Sequence, residues 1–225
     1  MADFNKAIKP LLNREGGDKI TNDPNDAGGL TKWGITLGDY KAHGADLDGN
    51  GVIDGNDLRL VNEQQADDYY DKNYWDKLYL DTIISQAVAE KIFDNGVNLG
   101  IGAITKILQT AIGATIDGRM GPNTVFLANQ LNEKDLMDKL VNAQINYYWS
   151  ITINNINKKA LIPINQGGLG WSQGLFDKAI SYCNNRDLNS IDSLNKTIKV
   201  MTNTLQGNIR FIHGWLNRAN ERFGV

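Results

Sequence analysis

The segment from residue 13 to residue 36, NREGGDKITNDPNDAGGLTKWGIT, places carboxyl groups among turn-forming residues. Glu15 precedes a glycine pair, Asp23 and Asp26 lie in the turn sequence NDPND, and Thr31 opens the TKWGIT segment. A connection of this length without regular structure is uncommon in a compact domain unless it has a function. A glutamate there can act as a general acid if partial burial keeps it protonated near neutral pH.

The scarcity of histidine and cysteine narrows the chemistry available to this chain. His43 and His213 are the only histidines, and Cys183 is the only cysteine. A zinc hydrolase needs several such ligands around one metal, and a cysteine hydrolase needs a histidine base beside its thiol. The sequence also lacks a glycine-rich phosphate loop and a GxSxG elbow. Carboxylates, amides and aromatic residues remain. These are the residue types that a glycosidase uses. In such an enzyme, one carboxyl group protonates the leaving oxygen and another group stabilises the oxocarbenium-like centre.

Residues 46–57, DLDGNGVIDGND, fit the calcium-binding loop of an EF-hand. In that loop, oxygen ligands stand at positions 1, 3, 5, 7, 9 and 12, and a glycine stands at position 6. The corresponding ligands are Asp46, Asp48, Asn50, the carbonyl of Val52, Asp54 and Asp57, with Gly51 at the turn. So many carboxylates would repel one another without a cation, so we expect Ca²⁺ here in a structural or regulatory role. Position 12 is Asp57 rather than glutamate, which leaves bidentate coordination and the preference for calcium over magnesium open.

The charge of the chain is unevenly distributed, although its formal net value is only -3. Residues 158–225 contain nine Lys or Arg and four Asp or Glu, so the acidic excess lies in the preceding part. A basic C-terminal third predicts either an anionic partner or a solvated helix surface. As partner we expect an anionic outer-envelope surface rather than nucleic acid.

Two further features concern the compartment in which the chain is made. It has no apolar run of about eighteen residues, so we expect no transmembrane segment. Its N-terminus is amphipathic and lacks the basic and apolar regions of a signal peptide. A single cysteine excludes an intramolecular disulfide, and we therefore expect synthesis and folding in a reducing cytosol.

Apolar periodicity predicts a mainly α-helical protein. The predicted helices cover about 3–14, 36–43, 63–75, 82–100, 104–112, 122–131 and 135–151, with a further helical section near 189–222. Asn62 and Thr82 are predicted N-caps, Gly113 a helix end and Pro122 a first-turn residue. At most a short β-hairpin is expected near 20–36, and a long loop or hinge at 157–174.

Several sequence blocks in order resemble the glycoside hydrolase family 108 lysozymes, which are N-acetylmuramidases common among phage endolysins. The blocks are EGG, NDPNDAGG, TKWGIT, YYDKNYWDKL, FDNGVNLGIGAITKILQ and FIHGWLNRANERFG. The part from IDGRMGPNTV to the C-terminus resembles the predicted peptidoglycan-binding part that accompanies this family. The resemblance implies a lysozyme-like helical fold with a short β-hairpin and an inserted EF-hand-like calcium loop. It also implies a catalytic part over 1–113 and a peptidoglycan-binding helical part over 114–225, packed on the first.

The same resemblance assigns roles to the residues of the opening segment. Glu15 matches the catalytic glutamate of the family and would be the general acid. By analogy with phage lysozymes, Asp23 or Asp26 would stabilise the developing positive charge or hold a water, and Thr31 would position that water. Asp18 stands where the family usually has an aromatic residue, and residues 152–208 have no counterpart.

Aromatic and amide side chains near these blocks are candidate substrate-binding residues, because aromatic faces stack on sugar rings. The aromatic candidates are Trp33, Tyr70, Tyr74 and Trp75, and the amides that could bind N-acetyl groups are Asn95 and Asn98. Each aromatic residue taken alone is more often an ordinary core residue, and each amide could satisfy a helix end.

The function implied is hydrolysis of the β-1,4 bond between N-acetylmuramic acid and N-acetylglucosamine of peptidoglycan during phage-induced host lysis. Such a bacteriolytic enzyme would be made in the host cytoplasm and would act on the cell wall or periplasm after release. Two alternatives stay open: a lytic transglycosylase that forms a 1,6-anhydro product, and a non-catalytic, calcium-responsive peptidoglycan-binding protein.

Overall fold

The computed structural model of the protein describes most of its N-terminal part and short pieces beyond. The described residues are 1–22, 29–159, 161, 163–166, 172–174 and 177. They divide into two compact units, the first containing Met1–Gln109 and Ala114–Glu133, and the second containing Thr110–Gly113 and the described residues from Lys134 to 177. Asp23, Asp26 and the helical section predicted near 189–222 lie outside the described residues.

Helices make up most of the described chain, as the sequence predicts. They are α1 (Phe4–Arg14), α2 (Leu37–His43), α3 (Gly55–Leu60), α4 (Glu63–Tyr70), α5 (Gln86–Leu99), α6 (Ile101–Ile112), α7 (Pro122–Asn129) and α8 (Glu133–Lys159). Short helical turns of other types are a π-helical turn at Asp71–Trp75 and 3-10 turns at Asp76–Leu78, Leu80–Thr82 and Ile164–Gln166. The helix predicted over 63–75 is therefore α-helical only as far as Tyr70. Helix α8 extends to Lys159, so the first three residues of the loop predicted at 157–174 are helical.

Three short strands form a sheet where the sequence predicts at most a hairpin. Strands β1 (Thr21–Asn22), β2 (Leu30–Lys32) and β3 (Ile35–Thr36) are antiparallel in that order. A two-residue turn joins β2 to β3, and its residues Trp33 and Gly34 have φ angles of 55° and 77°. Positive φ at both positions is the geometry of a type I′ turn, whose twist suits a tight hairpin.

The helix ends follow local capping chemistry, with one correction to the sequence prediction. Asn62 caps α4 as predicted and forms a capping box with Gln65. Helix α5 begins after Ser85, whose hydroxyl accepts the N–H of Val88, and not after Thr82. The prediction of Thr82 is wrong because that residue lies in a 3-10 turn, where its hydroxyl donates to the Tyr79 carbonyl.

An aromatic cluster forms the centre of the first unit. Phe4, Trp75 and Phe93 meet edge to face, with ring centroids 5.4 to 5.9 Å apart. Tyr70 extends the cluster through an edge contact with Phe93 at 6.3 Å. Such pairs stabilise a core beyond the burial of their area, and here they join α1, α4, the π-helical turn and α5.

The second unit is described mainly through α8. Within this helix, the buried amide of Gln144 donates to the hydroxyl of Tyr148 at 3.3 Å. Across the described part of the chain, no helix combines the length and the apolar character needed to cross a membrane.

Candidate active site

Glu15 lies at the point where α1 ends and the chain turns toward the sheet. It follows Arg14, its N–H donates to the Leu11 carbonyl at 3.0 Å, and it is half-buried. Gly16 and Gly17 come next with φ angles of 94° and 62°, a conformation that glycine adopts without strain. The Gly17 carbonyl then accepts the N–H of Trp33 at 3.0 Å. This bond holds the β2–β3 turn beside the end of α1.

Gly34 brings the turn into close contact with the Glu15 side chain. A Cβ atom on Gly34 would lie 2.6 Å from the Glu15 Cβ and 2.8 Å from the Tyr70 hydroxyl oxygen. The space is therefore occupied on two sides, and only glycine fits. The Tyr70 hydroxyl donates to the Trp33 carbonyl at 2.9 Å, which fixes the same turn from the α4 side.

Asp39, on α2, accepts hydrogen bonds from two further tyrosine hydroxyls near this site. Tyr69 and Tyr74 both donate to its Oδ2 atom, Tyr74 at 3.1 Å. The other carboxylate oxygen lies 3.3 Å from the His43 Nδ1 atom. Tyr70 and Tyr74 have ring centroids 5.7 Å apart, so the two tyrosines connect Asp39 with the surroundings of Glu15.

Burial raises the pKa of all three tyrosines well above the ordinary value, and neighbouring carboxylates add to the effect. After burial, the negative charge of Glu15 is the largest cause for Tyr70, and Asp39 is the largest cause for Tyr69 and Tyr74. A phenol in the neutral form keeps one proton to donate. The tyrosines therefore stay hydrogen-bond donors to their present acceptors across the whole physiological range of pH.

A cavity of about 190 Å³ opens beside this cluster. It is lined by Asp39, His43, Tyr69, Asn73, Tyr74, Lys77, Gly100 and Ile101. The Lys77 ammonium donates to the Asn73 side-chain oxygen at 3.2 Å. The walls thus combine aromatic edges with a carboxylate, an amide and an ammonium group, which suits a polar ligand with an apolar face.

The other predicted site residues fall into three groups. Thr31 lies on β2, and Trp33 lies in the β2–β3 turn that the Gly17 carbonyl holds beside the end of α1. Trp75 is 2 % exposed inside the aromatic core, a placement that gives it a packing role. The side-chain amides of Asn98 and Asn95 donate hydrogen bonds to the backbone carbonyls of Asp94 and Lys91, respectively, one turn earlier in α5. Tyr70 is also buried, but its hydroxyl reaches the Glu15 surroundings.

Sequence reasoning did not single out two groups of the site. Asp39 looks like an ordinary first-turn acid of a short helix, and its tyrosine partners are 30 and 35 positions away. Asp94 is the other, since its carboxylate pairs with the Arg14 guanidinium at 3.0 Å. That pair ties α1 to α5 immediately before Glu15.

The acidic loop between α2 and α3 brings three of its predicted ligands together. Carboxylate oxygens of Asp46, Asp48 and Asp57 lie within 4.8 Å of one another, as a metal site requires. Asp57 is fully buried and accepts the N–H groups of Leu47, Asp48 and Asp54 at 2.7 to 3.1 Å. These bonds, led by that of Asp54, lower the pKa of Asp57, so its carboxylate stays charged.

The remaining predicted ligands surround this triad. The side-chain oxygen of Asn50 accepts a hydrogen bond from the backbone N–H of Val52, and the Val52 side chain is exposed. Asp54 caps α3 and shares a capping box with Asp57. The donor set is entirely oxygen, and the sharp turns at Gly49 and Gly51 have positive φ. The residues present therefore fit a hard dication such as Ca²⁺.

The chain matches two protein families. The family described as "Glycosyl hydrolase 108" matches residues 8–100, and the one described as "Predicted Peptidoglycan domain" matches residues 103–220, more than half of the chain. One similar solved structure is that of Brucella abortus SagA. It is 27 % identical with a TM-score of 0.54, and the match covers 64 % of this chain and 78 % of that one. A comparison with curated proteins finds no match.

Glu15, the sheet and Asp39 all fall within the first matched range, and the IDGRMGPNTV segment falls within the second. The chain belongs to the predicted peptidoglycan domain family and, through its N-terminal glycosyl hydrolase 108 domain, it is a peptidoglycan-degrading hydrolase.

Proposed function

We propose that the chain is an N-acetylmuramidase that cleaves the β-1,4 bond between N-acetylmuramic acid and N-acetylglucosamine. The observation that carries the proposal is the enclosure of Glu15. This carboxyl group is half-buried at the end of α1, pressed against Gly34 and near the Tyr70 hydroxyl, inside the glycosyl hydrolase match. A carboxyl group so placed can keep a proton for a leaving oxygen.

In the proposed reaction, Glu15 gives its proton to the glycosidic oxygen as the bond from that oxygen to the anomeric carbon breaks. The oxocarbenium-like centre then gains a hydroxyl from water, and the proton released restores the acid form of the site. Thr31 lies on β2, the strand that leads into the turn at Gly34, and we assign to it the positioning of that water. We assign charge stabilisation to Asp23 or Asp26, which belong to the same opening segment.

The substitution Glu15→Gln tests this assignment. The amide is nearly isosteric but has no acidic proton, so activity should fall on the order of a hundredfold or more. Turbidity of permeabilised Gram-negative cells measures the rate, and a melting curve checks that the fold is intact. Activity within a few-fold of the unsubstituted protein would exclude Glu15 as the acid.

The products of digested cell wall distinguish the reaction classes. Mass spectrometry should find reducing N-acetylmuramic acid ends from the unsubstituted protein. A 1,6-anhydro end would instead establish a lytic transglycosylase. The absence of any cleavage would leave a binding protein.

We further propose that the loop at residues 46–57 binds Ca²⁺ and that the enzyme acts as a phage endolysin in host lysis. Three observations support the metal: the oxygen-only donor set, the clustered carboxylates of Asp46, Asp48 and Asp57, and the glycine turns. A bound ion would cancel repulsion among these carboxylates. In this setting the protein is made in the host cytoplasm and reaches the wall after release.

A further inference from the structure

The cavity beside Asp39 contains a buried amide that the proposed acid chemistry does not use. Asn73, in the π-helical turn, is 7 % exposed and lines this cavity of about 190 Å³. Its side-chain oxygen accepts a hydrogen bond from the Lys77 ammonium at 3.2 Å. That bond fixes which end of the amide is the oxygen, and therefore which end carries the two N–H donors.

The N–H₂ group of the Asn73 side chain donates to no group in the described part of the chain. A buried donor without a partner is costly, so native structures normally pair such a group with protein, water or a ligand. The cavity that Asn73 lines is where a partner can bind. That partner must be a hydrogen-bond acceptor, because an amide N–H₂ group only donates.

Two tyrosines give the same cavity acceptor atoms. Tyr69 and Tyr74 both donate their hydroxyl protons to Asp39, Tyr74 at 3.1 Å. A hydroxyl oxygen whose proton is used in this way still has a lone pair, so toward a ligand it acts as an acceptor. The cavity thus offers N–H donors from Asn73 and acceptor oxygens from the tyrosines. A secondary amide is the complementary ligand group, because its carbonyl oxygen accepts and its N–H donates.

The charges around the cavity favour a neutral ligand. The lining contains the carboxylate of Asp39 and the ammonium of Lys77, and the His43 Nδ1 atom lies 3.3 Å from Asp39. An anionic ligand would meet Asp39 and a cationic ligand would meet Lys77, and like charges brought together in a binding site are costly. The volume is also below the roughly 300–1,000 Å³ of a pocket for a drug-sized molecule. A small, uncharged amide satisfies both conditions.

The apolar part of the lining suits a methyl group beside that amide. Ile101 is half-buried, and Gly100 next to it leaves open space, since an added Cβ there would meet nothing within 4 Å. The ring of Tyr74 contacts the ring of Tyr70, with centroids 5.7 Å apart, and the Tyr70 hydroxyl binds the carbonyl of Trp33 in the β2–β3 turn. Side-chain contacts therefore connect the cavity with the elements of the candidate active site.

We propose that Asn73 is a specificity-determining residue whose N–H₂ group binds the carbonyl oxygen of a sugar's acetamido group inside this cavity. Lys77 is the positioning residue that keeps the amide in this orientation. The inference rests on the proposed function, because the glycan strand of peptidoglycan supplies the N-acetylated sugars. It goes further by assigning N-acetyl recognition to one side chain, to which neither family match gives a role.

The test compares two neutral β-1,4-linked probes, the pentamer of N-acetylglucosamine and the pentamer of glucose. They differ only in the acetamido group on each ring. Binding is measured by calorimetry in the Glu15→Gln variant, so that neither probe is cleaved, and the N-acetylated probe should bind more tightly. Asn73→Asp on this background keeps the shape and the acceptor for Lys77 but removes the N–H₂ group. It should reduce the preference roughly fivefold or more.

Asn123→Asp is the matched control, because it makes the same change at an exposed amide on α7. Its preference for the N-acetylated probe should equal that of Glu15→Gln alone. The inference is overturned by an unchanged preference in a folded Asn73→Asp, by an equal loss in the control, or by no preference in Glu15→Gln itself.

A second variant applies if Asn73→Asp does not melt cooperatively. Lys77→Met changes an exposed residue and leaves Asn73 in place, but it removes the bond that orients the amide. The preference should fall in this variant too, and an unchanged preference would overturn the inference. Failure of both variants to fold would make the pair a structural element and would also overturn it.

The proposed function fails separately. It fails if the unsubstituted protein releases no reducing N-acetylmuramic acid ends from cell wall. Normal cleavage with an unchanged preference in Asn73→Asp removes only the role of Asn73.

Discussion

Glu15 and Gly34 illustrate how one small residue can set the position of the side chain that we propose as the general acid. The acid is held against the turn because Gly34 has no side chain, and the turn is held in place by the Tyr70 hydroxyl and the Gly17 carbonyl. A half-buried acid with fixed neighbours loses less freedom when substrate arrives. If Glu15 is the general acid, the exact position of its side chain against Gly34 should therefore affect the reaction rate more than the stability of the fold.

Gly34→Ala tests this contact. The added methyl group would meet Glu15 at 2.6 Å and Tyr70 at 2.8 Å, in a backbone conformation that L-residues rarely adopt. We expect activity to fall on the order of a hundredfold, because a displacement of about 1 Å is costly in a catalytic site. The measurement is kcat/KM together with a urea unfolding curve.

Gly113→Ala provides the control for backbone strain alone. Gly113 has a similar φ of 70° and nothing within 4 Å of an added Cβ. It should lose about 1–2 kcal/mol of unfolding free energy, the cost of an L-residue in the left-handed region, and keep its activity. Equal activities for the two variants would contradict the role given to Gly34.

The sequence predicted part of this site and missed the rest for a physical reason. Glu15 was singled out by its place before a glycine pair and a long turn, and the resemblance to the glycoside hydrolase family 108 lysozymes gave it the role of general acid. Asp39 could not be found, because its significance comes from hydroxyls that reach it from Tyr69 and Tyr74 on other elements. The roles of Glu15, Asp23, Asp26 and Thr31 stay predictions.

At the scale of elements, α3 connects the acidic loop with the β2–β3 turn, which lies against Glu15. The Lys32 ammonium donates to the Arg59 carbonyl at 2.6 Å, and the Trp33 indole N–H donates to the Val61 carbonyl at 3.1 Å. Both acceptors lie at the C-terminal end of α3 or just beyond it. Because Asp54 and Asp57 form the N-terminal cap of α3, the loop and the turn are joined through one short helix.

Calcium should therefore stabilise the protein measurably. A ligand that binds only the folded form adds about 4 kcal/mol at a thousandfold excess over its Kd, a large share of the roughly 5–15 kcal/mol of a typical domain. Melting curves in EGTA, then with added calcium or magnesium, should show a rise of several degrees, larger with calcium.

Asp46→Ala should abolish this response, because Asp46 belongs to the carboxylate triad. Asp135→Ala, at an exposed position on α8, is a control for the loss of one carboxylate and should keep the response. Identical melting of the unsubstituted protein with and without chelator would mean that the loop is only a polar turn.

The helices could be predicted more reliably than the connections between them. Apolar periodicity, the Asn62 cap, the Gly113 end and Pro122 are local signals, and all four appear in the structure. The third strand could not be foreseen, since two-residue strands carry no periodicity. The Thr82 cap was wrong because Ser85 offers the same chemistry three residues later.

At the scale of the whole molecule, the basic part of the chain overlaps the range of the second family match. The basic residues 158–225 fall largely within the predicted peptidoglycan domain, which matches residues 103–220. Opposite charge raises the encounter rate with an anionic surface and is screened by salt. The role of this region in envelope attraction is a proposal that rests on composition.

Replacing Lys196, Lys199, Arg210 and Arg218 by glutamine tests that proposal; these residues lie outside the described part of the chain. Binding to intact envelopes should weaken several-fold at low salt and become less salt-dependent. Hydrolysis of a short soluble substrate should be unchanged. The control neutralises four exposed bases of the first unit, Lys6, Lys9, Lys41 and Lys72, and should bind envelopes as before. Equal weakening in the control would show that only net charge matters.

The two bonds from Lys32 and Trp33 to the end of α3 have a consequence that runs in both directions. If an ion in the loop tightens glycan binding by some factor, glycan must tighten ion binding by the same factor, because linkage between two sites is reciprocal. Wall fragments that bind the Glu15→Gln variant should then lower the calcium concentration at which the loop fills. A molecule coupled in this way detects a coincidence: it is most rigid where calcium and peptidoglycan occur together.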